Sequence, residues 1–393
     1  MLTNHYDLII LGGGCAGLSL AMRLAMQGEN APSTLILEKR AHYLNDRTWC
    51  FWDEGSPELR DWVDYAWPSF EVKKGRRQIT RDCAQNPYLM LSASSFYAKS
   101  LAKIALNPER VTLLNNQSVQ NVIELADHSW QITTENAIYT ASNVVDTRPN
   151  SKTQQTIRDD DATLWQSFIG YEVETSVDIF NPNQFTLMDF DTAFSYGLGF
   201  VYVLPTSARH ALIEYTVFSA NALSADHLKA YIKPALSTYL PEIAYKITRT
   251  EFGQLPMGNQ KVLLSNKANY IYAGLFAGAA RPSSGYAFQR IQRWAAQCST
   301  SLMRKKTLSA PEKDALLLAT MDGIFLHVLK SNPKISVSLF FKFFSKCQTK
   351  TVIRFLSDHA SLADYLTVIA AMPKLPFLKS LPVYLLKQIL NRH

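Results

Sequence analysis

Glycines at positions 12, 14 and 17 follow the spacing G-x-G-x-x-G, a pattern that holds phosphates. In Gly12-Gly13-Gly14-Cys15-Ala16-Gly17 the first glycine permits a tight turn and Gly14 lets the backbone approach a pyrophosphate. Gly17 lets the following helix pack closely on its strand. The free N–H groups and dipole at that helix's N-terminus attract phosphate charge. Glu38 comes about 20 residues later, where an acid can accept hydrogen bonds from a ribose. Cys15 and Ala16 stand inside the loop, and Lys39 follows the acid. The Cys15 thiol reads as a packing group rather than a reactive one. A second acid, Glu214, interrupts the apolar run Leu212-Ile213-Glu214-Tyr215-Thr216. Strand alternation puts it on one face with Leu212 and Thr216. The pattern alone favours a solvent-facing carboxyl on a half-buried strand. If that face lines a cavity, desolvation raises the pKa and Glu214 becomes a proton donor.

These residues need elements to hold them. Residues 8–11 read as a buried strand, 18–27 as a helix ended by Gly28, and 34–37 as a second strand. Residues 141–146 read as a further strand running into the turn Thr147-Arg148-Pro149, which Asp146 would cap. Residues 270–274 form a short strand ending at Gly274, and a helix is expected over 287–302. Alternation of strands and helices implies a parallel sheet. One discontinuous nucleotide-binding domain is therefore expected from residues 1–45, 85–150 and 265–302. Between its parts, residues 155–258 read as β-rich, with strands at 165–174, 184–189, 200–204 and 210–218 and a hairpin connection at 205–209. This antiparallel sheet is expected to wall a substrate cavity. Residues 303–393 read as helical, punctuated by Pro333, Pro373, Pro376 and Pro382. No internal repeat or low-complexity segment is apparent.

The 393 residues are 47% apolar, which suits a globular protein. Five cysteines without paired spacing suit a reducing compartment, and the scattered histidines offer no metal site. The first five residues are too short and polar for a signal peptide, and no unbroken apolar run is long enough to span a bilayer. The net charge of +7 sits in the tail, where residues 301–393 hold 14 Lys/Arg against 5 Asp/Glu. The tail is also apolar, with runs at 337–344, 375–378 and 383–387. Basic and apolar residues at helical spacing point to contact with an anionic membrane surface. No nucleic-acid motif is present. A cytoplasmic protein, peripheral on the inner face of the membrane, is expected.

Five further blocks carry more specific information. They are Asn45-Asp46-Arg47-Thr48-Trp49-Cys50-Phe51-Trp52, Val144-Val145-Asp146-Thr147-Arg148-Pro149, Ile213-Glu214-Tyr215-Thr216, Gly253-Gln254-Leu255-Pro256-Met257-Gly258 and Ala280-Arg281-Pro282-Ser283-Ser284-Gly285-Tyr286. In this order they resemble the bacterial lycopene β-cyclase family, nearly end to end. The resemblance implies an α/β fold: a Rossmann-like FAD-binding domain of the flavin hydroxylase and geranylgeranyl reductase type, an antiparallel substrate domain, and a helical C-terminal region. It implies FAD that acts in its reduced form, NAD(P)H as external reductant, and lycopene or a related acyclic carotene as substrate. The reaction would be an isomerisation (an intramolecular lyase) giving β-rings without net redox change. Glu214 becomes the catalytic acid. Arg47, Asp146, Gly274, Gly285 and Tyr286 join the cofactor side with the glycine loop. Trp49, Phe51, Trp52, Tyr202, Tyr286 and Phe288 are candidates to line the substrate and face its cation.

Two positions depart from the related patterns. Leu275 follows Gly274 where flavin hydroxylases carry an Asp, and Arg281 stands where cyclases often have His or Lys. The alternative on the same fold is a flavin-dependent monooxygenase or a prenyl or carotenoid reductase. A flavoprotein without catalysis is a third reading.

Overall fold

In the computed structural model, which describes residues 5–149, 164–191, 194, 196–258, 265 and 267–390, the first buried strand runs from His5 to Leu11 (β1). It lies between Thr34–Leu37 (β2) and Ile138–Asp146 (β11), parallel to both. Val111–Leu114 (β8) extends the sheet beyond β2, and Tyr270–Tyr272 (β17) pairs in parallel with β11. Leu8, Ile9, Ile10 and Leu11 are all buried, as a strand covered on both faces requires. The helices Cys15–Ala25 (α1), Ala93–Ile104 (α2) and Phe288–Lys305 (α4) supply one cover. The sheet is not wholly parallel as expected. Val119–Glu124 (β9) and Trp130–Thr134 (β10) pair antiparallel and continue antiparallel onto β11. Half-exposed, polar-rich strands such as β9 carry a weak periodic signal.

A second sheet has the order β16-β12-β15-β14-β13-β5-β6. Its strands are Ser69–Lys74 (β5), Arg77–Asp82 (β6), Leu164–Thr175 (β12), Gln184–Asp191 (β13), Gly197–Pro205 (β14), His210–Ser219 (β15) and Tyr245–Met257 (β16). Strands β5 and β6 come from a stretch that the sequence reading left unassigned. A helix, Ala225–Tyr239 (α3), covers one face of this sheet. Alternation then sorts β15: Ile213, Tyr215 and Val217 pack in the cluster beneath α3, and Leu212, Glu214 and Thr216 face a cavity on the other side. Thr48–Trp52 (β3), Tyr65–Trp67 (β4) and Tyr88–Ser92 (β7) form a small third sheet between the two. Residues 1–4, 150, 155–163, 192, 193, 195, 266 and 391–393 of the expected regions lie outside the described residues.

Five helices follow: Leu316–Ser331 (α5), Ser336–Lys346 (α6), Thr349–Leu356 (α7), Leu362–Ala371 (α8) and Lys374–Leu390 (α9). They form the wall of the cavity opposite the second sheet. The apolar run 337–344, expected at a membrane surface, turns inward: Leu339, Phe343 and Phe344 are buried in the cluster shared with β5, β13 and β14. Exposed apolar side chains concentrate instead on α8 and α9, among them Leu362, Leu366, Leu375, Leu378 and Leu386.

Arg281 clasps this helical region to the nucleotide domain. Its side chain is fully buried, its Nε and Nη2 donate to Asp322 of α5 at 3.0 and 3.1 Å, and its Cζ lies 4.4 Å from the centre of the Phe355 ring of α7. It also donates to the Phe355 carbonyl. Arg281→Leu leaves Asp322 buried without its cation, which costs about 3–5 kcal/mol. The expected outcome is a lower midpoint in urea unfolding at unchanged slope. Wild-type stability in that variant would contradict the clasp.

Candidate active site

One cavity of about 1500 Å³ runs from the glycine loop, past the inner face of the second sheet, to helices α8 and α9. Its nucleotide end is built by the β1–α1 turn. Gly12 adopts a positive φ of 97°, and its N–H donates to the Leu37 carbonyl at 2.8 Å, tying the turn to the end of β2. A side chain at Gly14 would meet nothing within 4 Å, so backbone and ligand can approach closely there. At Gly17 an added Cβ would lie 2.0 Å from the Gly12 carbonyl oxygen. Gly17 is thus a packing residue behind the loop. Gly12, Gly14, Cys15 and Ala16 line the cavity, and no side chain caps the N-terminus of α1. The free N–H groups and positive helix end suit a pyrophosphate.

Glu38 ends β2 and accepts from the Gly13 N–H at 2.7 Å and from Arg40 Nε at 2.9 Å. Burial pushes its carboxyl up, but the hydrogen bonds and charge of Arg40 outweigh that and hold it below the ordinary range. Glu38 is therefore an ionised acceptor beside the loop. Arg40 was not foreseen. It also donates to the Gly13 carbonyl and stacks on Tyr43 and Tyr97. Lys39 and Arg47 line the same end, with Arg47 held by Asp46 at 3.0 Å. Gly274 has φ 84° and sits against the Ala16 side of the loop. Asp146 lines the cavity, but both its oxygens are taken. Arg148 donates to it through Nε and Nη2, and the Tyr270 hydroxyl donates at 2.8 Å. These contacts fix the turn after β11.

Glu214 projects from β15 into the middle of the cavity, only 9% exposed. Strand β12 lies between β15 and β16, and Gly170 on β12 is opposite both Glu214 and Glu251. The two carboxyls meet over a residue without a side chain. Burial first, and then the charge of Glu251, push the Glu214 carboxyl up to about 8. The Thr216 hydroxyl donates to it at 2.6 Å. Sequence reasoning missed Glu251. Its signal was the same as that of Glu214, an acid in the interior of a strand, just before the Gly253 block. Glu251 accepts from Arg249 Nη1 at 2.7 Å and from the Thr48 hydroxyl at 2.9 Å. Arg249 also reaches Glu172 at 2.7 Å.

The aromatic candidates divide. Trp49, Tyr202, Tyr286 and Phe288 line the cavity, as do Gly285 and the unforeseen Tyr88, whose hydroxyl lies 3.1 Å from that of Tyr286. Phe51 and Trp52 do not line it. Phe51 stacks behind Phe288 at 4.8 Å, and Trp52 is buried among Phe70, Tyr88 and Phe185. Both are core residues that support the wall. The far end is apolar, with Phe325, Phe340, Phe343, Phe355, Val368, Met372 and Phe377. It reaches the surface where Ile369 and Leu378 both line it and are 47% and 62% exposed.

Solved structures share this fold at low identity. A geranylgeranyl bacteriochlorophyll reductase-like protein from Thermoplasma acidophilum matches with a TM-score of 0.62 at 13% identity, over 97% of this chain and 100% of its own. A probable FAD-dependent monooxygenase from Pseudomonas aeruginosa gives 0.57 at 13% identity, over 90% and 100%. The flavin-dependent brominase Bmp2 gives 0.59 at 12% identity, over 98% and 100%. The fold is that of FAD-dependent monooxygenases, halogenases and geranylgeranyl reductase-like proteins. Within it, the chain belongs to the lycopene cyclase protein family, whose model matches residues 7–382. The lycopene β-cyclase of Pseudescherichia vulneris is 28% identical over 296 residues, 71% of this chain and 70% of that one.

Glu214 also fixes a pH signature. In the unfolded chain its carboxyl ionises near 4.5, and in the folded protein near 8. Between those values the folded state holds a proton that the unfolded state has lost, so stability falls as pH rises. The slope is about 1.4 kcal/mol per pH unit. Wild type is expected to lose stability relative to Glu214→Gln across that window in denaturant titrations. Parallel pH profiles for the two proteins would contradict a protonated Glu214.

Proposed function

We propose that this protein is a lycopene β-cyclase that binds FAD at the glycine-loop end and converts acyclic ψ end groups of lycopene to β-rings. The observation that carries the reading is the buried Glu214 carboxyl, raised to about 8 in a cavity whose far end is apolar, in a chain of the lycopene cyclase family. Gly12, Gly14, Cys15 and Ala16 would hold the FAD pyrophosphate, with Glu38 on the ribose. When bound there in its reduced form, with NAD(P)H as the external reductant, FAD would supply negative charge that favours a nearby cation.

Glu214 holds its proton where the terminal double bond of the carotene enters. Transfer from its carboxyl forms a C–H bond and leaves a tertiary carbocation. The neighbouring double bond closes the ring, and a ring proton returns to the Glu214 carboxylate. No electrons are exchanged, so product and substrate have equal mass. The apolar walls exclude water, which would otherwise quench the cation. Tyr202, Tyr286, Trp49 and Phe288 present ring faces that attract it.

The mouth at α8 and α9 supports membrane docking. Among the described residues no single helix is long and apolar enough to span a bilayer, but exposed leucines are carried by the two helices, α8 and α9, that supply Ile369, Lys374 and Leu378 to the opening. A carotene could pass from the inner leaflet into the cavity without crossing water.

Two measurements test this reading. In bacteria that accumulate lycopene, the chain is expected to give γ- or β-carotene of unchanged mass. Glu214→Gln is expected to abolish conversion while retaining bound FAD. A product two mass units heavier, or one carrying oxygen, would instead support the reductase or monooxygenase alternative. For docking, the double variant Leu366→Glu/Leu378→Glu is expected to lose flotation with anionic liposomes. Equal flotation of the variant would contradict entry through this face.

A further inference from the structure

The three strands at the β16 end of the second sheet, β16, β12 and β15, place two carboxyls in one notch. Glu214 and Glu251 flank Gly170 in register, on the cavity face. A Cβ at Gly170 would lie 3.1 Å from Glu251 Cγ, 3.0 Å from Leu212 Cδ1 and 3.5 Å from Glu214 Cβ. The missing side chain is what allows the two acids to approach. Their surroundings are unequal. Glu251 faces Arg249 at 2.7 Å and the Thr48 hydroxyl at 2.9 Å, both donors to the same oxygen, Oε2. Arg249 Nη2 donates to Thr48 at 2.8 Å, which fixes the hydroxyl's direction, and Glu172 anchors the guanidinium from β12. Glu214 accepts from the Thr216 hydroxyl at 2.6 Å and has no comparable cationic clamp among the described residues.

We propose that Glu251 is a positioning residue, held ionised by the Arg249–Thr48 clamp, whose negative charge across the Gly170 notch keeps the proton on Glu214 between turnovers. This rests on the reading of Glu214 as the proton donor. Two carboxylates this close cannot both ionise cheaply, so the clamp decides which one does. The proton that leaves Glu214 for the alkene returns to Glu214 after ring closure, and Glu251 exchanges none. When Glu214 is momentarily ionised, repulsion from Glu251 drives it to recapture the ring proton. Burial raises Glu251 as well, opposed by Arg249 and Thr48.

The other groups around Glu214 are a thiol and phenols. Cys50 on β3, Tyr202 on β14, Tyr88 on β7 and Tyr286 before α4 all line the cavity. Burial pushes the Cys50 thiol and all three phenols up. They stay neutral across the working range, so Glu251 and Arg249 are the charges that act on Glu214, with Glu172 acting through Arg249.

The experiment measures kcat/KM against pH for lycopene in liposomes, using the full chain loaded with reduced FAD. Glu251→Gln is expected to move the alkaline limb down by about one pH unit or more. Glu251→Asp should keep the limb near its wild-type position, and Gly170→Ala should displace it downward by parting the pair. A 13C-carboxyl titration of Glu214, assigned by its loss in Glu214→Gln, reads the same shift without catalysis. It therefore tests the pair even if the protein does not cyclise lycopene. A fall in activity for Glu251→Gln with limb and titration unmoved would leave Glu251 a structural residue and overturn the proposal.

Discussion

Removing one carboxyl from water without giving it a cation is the constraint on which this molecule depends. A buried carboxylate needs a partner or it takes a proton. The lower part of the second sheet leaves Glu214 unpaired with any cation and places Glu251 across from it. Apolar side chains of α5, α6 and α7 line the same cavity. The buried Arg281–Asp322 contact holds that wall to the nucleotide domain. The fold thus serves a protonation state as much as a shape.

The same residue type is used in opposite ways at the two ends of the cavity. Glu38, clamped by Arg40 and the Gly13 N–H, stays ionised and accepts hydrogen bonds. Glu214, facing apolar walls and a second acid, keeps its proton. Environment, not residue type, assigns the roles. The aromatic residues divide by a similar logic. Trp49, Tyr202, Tyr286 and Phe288 line the cavity, and Phe51 and Trp52 pack behind that wall.

Much of this was legible in the sequence. The glycine spacing and the buried run at Leu8 placed the β1–α1 turn, because phosphate loops need glycines at fixed offsets. Alternation placed Leu212, Glu214 and Thr216 on one face, and only the covering helix α3 decided which face met the cavity. Other features depend on pairing between distant segments. Glu251 lies 37 positions from Glu214 in sequence, and the two meet only because both strands flank β12 at Gly170. Strands β5 and β6 are short and polar at their ends, and they gain their place because β5 pairs with β13 and β6 with β5. The inward turn of Phe343 and Phe344 could not be told from a membrane-facing run, since an apolar helical stripe looks the same against core or lipid.

The central claim is that Glu214 is an uncharged acid in the folded protein at neutral pH. Infrared difference spectroscopy between wild type and Glu214→Gln, in ordinary and heavy water, measures this directly. The account predicts a carboxylic acid C=O band in wild type that shifts in heavy water and is absent from the variant. A carboxylate band alone at that position would contradict it.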